Sequence, residues 1–285
     1  MTFAVRPADV PADLVALTRR LGDPAADLVV LAEGNTSVRL PGDRFAVKAS
    51  GSRMDLAEPG DFVVGDLPEL VEVLERGGTD QETLSRLLSA SPTGPEQSGG
   101  NQTHERAGAA PGRPASRRSE AEAIRHRASI ETLVHVVALA AGASWVAHTH
   151  PTAIVGLLAV SEARQLWEAP LFPDEAVVLG EPVWVPYAAP GIALGAAVHA
   201  AVRERLDRDG APPRLVLLGN HGIVALGASA TEAETITTMA VKAARVRAVA
   251  LGAGTPAPLG IDHARELAGR PDEAARRTLL GGTRT

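Results

Sequence analysis

Strand-like apolar runs alternate with helix-like segments along this chain, which limits the folds open to it. Predicted strands cover residues 27–40, 43–51, 143–148, 176–179, 183–185, 214–219 and 223–227. Helical spacing predicts helices at 9–21, 66–88, 130–141, directly after Pro151, and at roughly 192–206 and 231–251. Alternation of this kind favours a single α/β domain built around one sheet.

One polar stretch interrupts this pattern. Between Leu88 and Ile124 the chain has no Val, Ile, Leu, Met, Phe, Trp or Tyr. Such a stretch buries too little apolar surface to offset the entropy lost on ordering. We therefore expect one domain over residues 1–285, with a disordered surface insertion at 91–122 and a peripheral tail at 252–285. A solvated loop is the simpler interpretation of the insertion, and a substrate lid or partner-docking segment is the alternative.

Composition and charge exclude several classes of protein. The chain has no cysteine, which excludes disulfides, thiolate catalysis and cysteine-ligated zinc. The net charge of -6 argues against a general nucleic-acid binder, because such proteins carry a basic excess. The first residues lack the layout of a secretion signal, and no apolar stretch reaches the roughly 18 residues of a membrane span. These features predict a soluble cytoplasmic protein with no nucleic-acid or membrane partner.

Two histidines, His148 and His150, stand one residue apart at the end of a predicted strand, in the segment AHTHP. Because residues i and i+2 of a strand point to the same face, their imidazoles would aim at one point. His221, in a glycine-flanked turn after the strand at 214–219, is the best candidate for a third ligand. Three neutral imidazoles with open positions are typical of a catalytic zinc site. The alternative is that these are ordinary polar residues in turns.

The remaining five histidines fit such a site less well. His104 lies in the polar insertion and His126 shortly after it, and His199 and His263 lie in helix-like or tail contexts. His135 follows Glu131 by four residues on one helix face, and we interpret it as a residue that packs or supports a ligand.

Glu131 and two hydroxyl-containing segments are the other candidates. Glu131 is expected in the first turn of a helix capped by Ser129, where the helix dipole stabilises an acidic side chain. The alternative is a carboxylate that moves protons beside a metal. The segments GNTS (34–37) and KASG (48–51) can present N–H groups, hydroxyls and the charge of Lys48 to an anion. Taken separately, each segment is more often an ordinary turn.

Six segments taken in order resemble the class II aldolase/adducin family. They are GNTS, VKASG, ASIETLVH, HTHP, VPYAAPG and NHGIVALG, and apart from the insertion they span about residues 28–250. The chain looks most similar to the aldolase part of bifunctional rhamnulose-phosphate aldolase/dehydrogenase proteins, which carry similar VKGSG and PSVETLLH segments. Fuculose-phosphate aldolase-like enzymes are similar as well.

The resemblance implies a three-layer α/β/α fold with a central, mainly antiparallel sheet, usually in a homotetramer with active sites at subunit interfaces. It implies Zn²⁺, or Mn²⁺ or another divalent metal, held by His148, His150 and His221, with Glu131 as general acid/base. The implied phosphate-binding positions are Gly34, Asn35, Ser50, Gly51 and Ser129, to which the residue pattern adds Lys48.

The implied activity is that of a metal-dependent aldolase acting on a small ketose phosphate or related hydroxy-ketone. In that chemistry the metal polarises the carbonyl and stabilises the enediolate formed when the carbon–carbon bond breaks. Many members have a serine where this chain has Ile130, and some use a tyrosine after the zinc strand, whereas the one tyrosine here is Tyr187. The alternatives are a dehydratase, epimerase or decarboxylase using the same site, and a non-catalytic adducin-like interaction module.

Overall fold

The computed structural model describes residues 3–77, 80–91, 127–272 and 275. The predicted insertion lies almost wholly outside these described residues, as do His104 and His126. The strands are β1 (Phe3–Ala4), β2 (Asn35–Leu40), β3 (Arg44–Lys48), β4 (Phe62–Asp66), β5 (Ala90–Ser91), β6 (Trp145–Thr149), β7 (Val183–Val185), β8 (Leu215–Leu218) and β9 (Gly222–Gly227). The α-helices are α1 (Ala12–Leu21), α2 (Leu67–Glu75), α3 (Gln81–Leu87), α4 (Thr132–Ala140), α5 (Thr152–Leu158), α6 (Ala163–Leu166), α7 (Pro173–Leu179), α8 (Ile192–Asp209), α9 (Ala230–Ala253) and α10 (Ile261–Gly269).

One nine-stranded sheet runs through the described part of the chain, in the order β5-β1-β4-β3-β2-β6-β9-β8-β7. The outermost pairs, β1 with β5 and β7 with β8, are parallel, and the other pairs are antiparallel. This arrangement confirms the expected mainly antiparallel sheet. It also sets β6 near the middle, between β2 and β9, so that three separate chain segments meet there.

Helices cover both faces of the sheet, which confirms the three-layer α/β/α fold. On one face, α2, α4 and α8 pack over a core that includes Val146, Val216 and Val224. On the other face, α1, α5 and α9 pack over Ala147 and Ile223. Neighbouring residues of one strand thus bury opposite faces, as the two-residue period of a strand requires.

This alternation decides where His148 lies. Val146 and His148 share the face that α4 covers, because they are two residues apart on β6. Across the antiparallel pair of β2 and β6, Asn35 lies opposite His148 and Ser37 lies opposite Val146. Asn35 and Ser37 therefore lie on the same sheet face as His148, under α4.

The apolar run at 176–179 is helical, so the prediction of a strand there is wrong. It forms the second half of α7, which begins at Pro173 and has Asp174 and Glu175 in its first turn. Proline at the first position and acidic residues in the first turn both favour a helix start. Gly180, with φ of 62°, follows the last turn. The contacts of α7 with α9 and α10 override the strand preference of the two valines at 177–178.

Three other predicted segments differ from the structure in extent. The helix predicted at 66–88 is two helices, α2 and α3, and Gly77 follows α2 with φ of 82°. The strand predicted at 27–40 begins only at Asn35, because Asp27 and Leu31 have positive φ. The predicted tail contains α10, which packs on α7. None of the described helices is long and apolar enough to cross a membrane.

Candidate functional site

Four side chains that could ligate a metal converge at the end of β6. They are Glu131, His148, His150 and His221, and their ligand atoms all lie within 4.8 Å of one another. They come from the residue before α4, from β6, from the residue after β6, and from the turn between β8 and β9. The structure thus brings together the three residues predicted as ligands and the residue predicted as acid/base. We refer to these four side chains as the His/Glu cluster; His199 and His263 lie outside it.

His148 is fully buried and held in one orientation. Its Nδ1 donates a hydrogen bond to the Ile223 carbonyl oxygen at 2.8 Å, across the pair of β6 and β9. Because Nδ1 is held by this carbonyl, Nε2 is the ring nitrogen that faces the cluster, and a metal-ligating histidine is oriented in this way through its other nitrogen. The Nε2 atoms of His148 and His150 lie 3.0 Å apart. Two ring nitrogens therefore face each other, close enough to share one ion.

Glu131 closes the His/Glu cluster from the side of α4. Its Oε1 lies 2.9 Å from His221 Nε2, and its Oε2 lies 3.4 Å from His148 Nε2. Glu131 itself occupies the cap position of α4, so the prediction that Ser129 caps this helix is wrong. Ser129 stabilises the preceding turn instead: its carbonyl accepts from Thr132 N at 2.9 Å, and its Oγ accepts from Glu131 N at 3.3 Å.

The charges in the His/Glu cluster depend on one another because the groups are buried together. Burial raises the pKa of Glu131. The charges and hydrogen bonds of His148 and His221 have a larger, opposite effect, so the pKa lies well below its usual range. Burial lowers the pKa of His148, yet the Glu131 carboxylate brings it above its ordinary value. The pKa of His150 falls to about 3, through burial and then through the charges of His148 and His221. Glu131 is therefore ionised and His150 is neutral at pH 7.

The turn before β9 brings His221 to the His/Glu cluster. Asn220 adopts a left-handed conformation with φ of 54°, and Gly222 begins β9. A Cβ on Gly222 would lie 2.4 Å from the Thr149 carbonyl oxygen and 2.8 Å from His150 Cδ2, closer than real Cβ atoms come. The glycine after His221 is therefore required for β9 to approach the end of β6.

The predicted phosphate-binding residues Gly34, Ser50 and Gly51 lie on two segments that contact the segments carrying His148 and Glu131. Gly34, with φ of 67°, packs so tightly that a Cβ there would lie 2.8 Å from the His148 carbonyl oxygen. Ser50 N donates to the Arg127 carbonyl at 2.7 Å, which joins the loop at 49–51 to the segment leading into Glu131. Gly51 has φ of 75°, the left-handed conformation that a side chain disfavours.

Lys48 is buried beneath this loop. Its Nζ donates to the Ser52 carbonyl at 2.6 Å and to the Ala49 carbonyl at 3.3 Å. Burial lowers the pKa of Lys48 to about 8. The negative charges of Asp61 and Glu131 raise this pKa, but by less than burial lowers it. The positive charge is thus tied to the backbone of the loop at 49–52.

Two more residues contact the site, and sequence reasoning assigned a binding role to neither. The Nδ1 of His135 lies 2.7 Å from Ser37 Oγ, and its Nε2 contacts Asn35 Oδ1. Glu33 Oε2 lies 3.9 Å from His150 Nδ1, on the ring edge that faces away from His148. The only sequence signals were the i+4 relation of His135 to Glu131 and the position of Glu33 directly before the GNTS segment.

The His/Glu cluster has the chemistry of a divalent metal site. Imidazole nitrogens and carboxylate oxygens are the donors that Zn²⁺ accepts in proteins lacking cysteine ligands. The hydrogen bond from His148 Nδ1 to a backbone carbonyl is the kind of contact that orients metal-ligating histidines. The residues present therefore fit a bound metal.

Comparison of the sequence with known families gives one match. The family described as Class II Aldolase and Adducin N-terminal domain matches residues 12–248. No curated protein matches the sequence.

Several solved structures share the fold. The N-terminal class II aldolase domain of a conserved protein from Thermoplasma acidophilum superposes with a TM-score of 0.55 at 19% identity, covering 82% of this chain and 91% of that one. YgbL from Klebsiella pneumoniae, for which an aldolase, epimerase or decarboxylase activity has been suggested, gives 0.61 at 18% identity, covering 94% and 99%. L-fuculose-1-phosphate aldolase from Thermus thermophilus gives 0.54 at 22% identity, covering 87% and 100%. At these identities the similarity establishes the fold.

Proposed function

Because this chain belongs to the class II aldolase and adducin family, we propose that it is a metal-dependent aldehyde-lyase. The proposed reaction cleaves or forms a carbon–carbon bond in a small ketose phosphate or a related hydroxy-ketone. The observation that carries this proposal is the convergence of a carboxylate and three imidazoles in the His/Glu cluster. A non-catalytic interaction module has no use for such a cluster, so its presence favours an enzyme.

We propose that His148, His150 and His221 hold the metal, with Zn²⁺ as the first choice and Mn²⁺ or another divalent ion as the alternative. Three imidazole ligands leave a coordination position open, as in catalytic zinc sites. When bound there, the metal supplies a Lewis acid that polarises a substrate carbonyl. The orientation of His148 supports this role, because its Nδ1 is already engaged by the Ile223 carbonyl.

Glu131 is the proposed proton carrier. Its side chain is 13% exposed, so it is shielded from bulk water yet reachable from the site. Its Oε2 lies 3.4 Å from His148 Nε2, and therefore beside any ion that this nitrogen holds. A carboxylate oxygen there can take a proton from a hydroxyl or carbon next to a polarised carbonyl and return it in the reverse direction.

The substrate phosphate is assigned to Gly34, Asn35, the loop at 49–51 and Ser129. These residues offer backbone N–H groups, an amide and two hydroxyls, and Lys48 adds a positive charge beneath the loop. Successive N–H groups in a left-handed turn, such as the one at Gly51, are a common arrangement for binding an anion. Holding the substrate by its phosphate would position the reacting carbons beside Glu131.

We further propose that the single-domain chains assemble into a homotetramer in the cytoplasm; the family resemblance supports the tetramer. A dehydratase, epimerase or decarboxylase is a second candidate, because YgbL from Klebsiella pneumoniae has the same fold and such activities have been suggested for it. Those reactions would use the same polarised carbonyl and the same proton carrier.

Glu131→Gln tests the proposal through the products formed. Metal-loaded wild-type protein is incubated with a panel of ketose phosphates, and aldehyde release is measured together with loss of the ketose. We expect wild type to release aldehyde. Glu131→Gln should keep its metal and lose about a hundredfold or more in kcat, because an amide cannot carry the proton.

Glu69→Gln is the matched control. Glu69 is likewise an acidic residue at a helix start, in the first turn of α2, but it lies outside the His/Glu cluster, so this variant should turn over at the wild-type rate. Full activity in Glu131→Gln would show that another group moves the proton. Loss of ketose without aldehyde would favour the second candidate over the lyase.

A further inference from the structure

A chain of three buried polar residues lies beside the His/Glu cluster, and two of them, Ser37 and His135, have no part in the reaction described so far. Asn35 and Ser37 lie on β2, on the sheet face that they share with His148. His135 lies on α4, four residues after Glu131, and is fully buried against them. Its Nδ1 is 2.7 Å from Ser37 Oγ, and its Nε2 contacts Asn35 Oδ1.

The hydrogen bonds of this chain run in one direction. An amide oxygen can only accept, so the Nε2–H of His135 donates to Asn35 Oδ1. A neutral imidazole has one N–H, which leaves Nδ1 to accept from the Ser37 hydroxyl. The ring is neutral at pH 7, because burial and then the charge of His148 lower the pKa of His135 to about 3.

This direction determines which end of the Asn35 amide is left for a ligand. With Oδ1 held by His135, the Nδ2 group points elsewhere, and it makes no hydrogen bond to any residue that the structure describes. Asn35 lies directly opposite His148 in the antiparallel pair, where the Cβ atoms of partners are about 5 Å apart. The two N–H donors of the amide are therefore available next to the His/Glu cluster.

We propose that His135 is a positioning residue: it fixes the Asn35 amide as a hydrogen-bond donor and so selects a substrate with an anionic oxygen at this point. This inference rests on the proposed function, in which Asn35 binds the phosphate. With the amide turned over, Asn35 would offer an acceptor, which suits a hydroxyl and repels an anion. Ser37 keeps the proton of His135 on Nε2 and thereby maintains the donor orientation.

The test is the affinity of the metal-loaded protein for inorganic phosphate, measured by titration calorimetry. His135→Phe keeps a ring in the space but removes both hydrogen bonds, so the Asn35 amide is free to turn. The Kd for phosphate should rise about tenfold or more, the usual effect of losing one hydrogen bond to a charged group. His135→Gln should restore much of the affinity, because its amide N–H can again donate to Asn35. Ser37→Ala should weaken binding by a smaller factor.

Val137→Ala is the matched control, since Val137 is buried on the same helix but belongs to the apolar core. It should lower Tm and leave the phosphate Kd unchanged.

An unchanged Kd in His135→Phe and Ser37→Ala would overturn the role of His135, as would the absence of phosphate binding in metal-loaded wild type. Should His135→Phe fail to fold, Ser37→Ala against wild type decides the question. Metal content of the same samples tests the proposed function separately, because a wild type that holds no metal would refute that function alone.

Discussion

Lys48 carries a positive charge in a place that little solvent reaches. The residue is 2% exposed, its Nζ donates to two backbone carbonyls, and Asp61 and Glu131 are its charged neighbours. Burial outweighs their attraction, so its pKa falls from 10.5 to about 8. The backbone of the loop at 49–52, to which we assign the phosphate, is therefore hydrogen-bonded to a lysine with a lowered pKa.

The pH dependence of unfolding follows from this lowered pKa. Between pH 8 and 10.5 the unfolded chain keeps the Lys48 proton, whereas the folded chain has lost it. Below pH 8 the folded protein must hold a buried charged lysine, which lowers its stability relative to the unfolded chain. The free energy of unfolding therefore increases as the pH rises from 8 to 10.5. We expect Lys48 to add up to about 1.4 kcal/mol per pH unit to the free energy of unfolding there. Chemical denaturation across the same window measures it.

Lys48→Met should flatten this pH dependence, because the titrating group is gone. Lys242→Met is the control: Lys242 has a side chain that is 56% exposed, so its removal should leave the wild-type slope in place. Equal slopes in wild type and Lys48→Met would mean that the Lys48 ammonium is as well solvated in the folded protein as in the unfolded chain.

The sequence predicted some contacts between site residues and not others. The convergence of His148 and His150 follows from the period of one strand, so the pattern alone predicted it. The approach of Glu131 and His221 depends on packing between distant segments. The residue pattern offered both only as candidates, and the resemblance to a family assigned them to one site. The contact of His135 with Asn35 joins residues 100 positions apart, and no local pattern predicts such a contact.

Among the elements, β2 begins at a point where the backbone has little room. Gly34 has φ of 67°, and a Cβ there would lie 2.7 Å from Val29 Cγ1 and 2.8 Å from the His148 carbonyl oxygen. The hairpin turn at the other end of β2 contains Gly42, with φ of 73° but open space around it. Both glycines adopt a left-handed conformation. Only at Gly34 would an added Cβ also clash with the strand that carries His148.

Gly34→Ala and Gly42→Ala separate these two effects. Gly42→Ala should lower the free energy of unfolding by about 1–2 kcal/mol, the cost of a left-handed conformation for a residue with a Cβ. Gly34→Ala should cost more and should also weaken metal binding, because β6 must move away with His148. Denaturation and competition with a chelator measure the two quantities. Equal losses of stability, with unchanged metal affinity in Gly34→Ala, would contradict this account of β2.

The elements that sequence patterns predicted well are those with a strong period or clear ends. The strands around His148 and His221 and the long helix α9 were found, because each has a sustained apolar pattern. The error at 176–179 arose because four consecutive apolar residues are equally compatible with a buried strand and a buried helix. Pro173 and the two acidic residues after it were the signal for a helix.

The molecule as a whole holds the His/Glu cluster together. Strands β2 and β9 flank β6, α4 covers the face that carries His148, and the site exists only where these four elements meet.

On the opposite face, Arg247 of α9 forms a buried ion pair with Glu175 of α7, and its guanidinium carbon lies 4.2 Å from the centre of the Trp167 ring. Its Nε and an Nη also donate to the carbonyls of Leu166 and Ala169. These contacts fix α9 to the segment at 163–179.

The claim on which the others depend is that the His/Glu cluster holds a catalytic metal ion. Elemental analysis of protein purified without chelator measures it, in wild type, in His148→Ala and in His263→Ala as a control outside the cluster. We predict about one divalent ion per chain in wild type and His263→Ala, and close to none in His148→Ala, with all three proteins folded by circular dichroism. A wild type without metal even after incubation with Zn²⁺, or a His148→Ala variant with the full metal content, would contradict the claim.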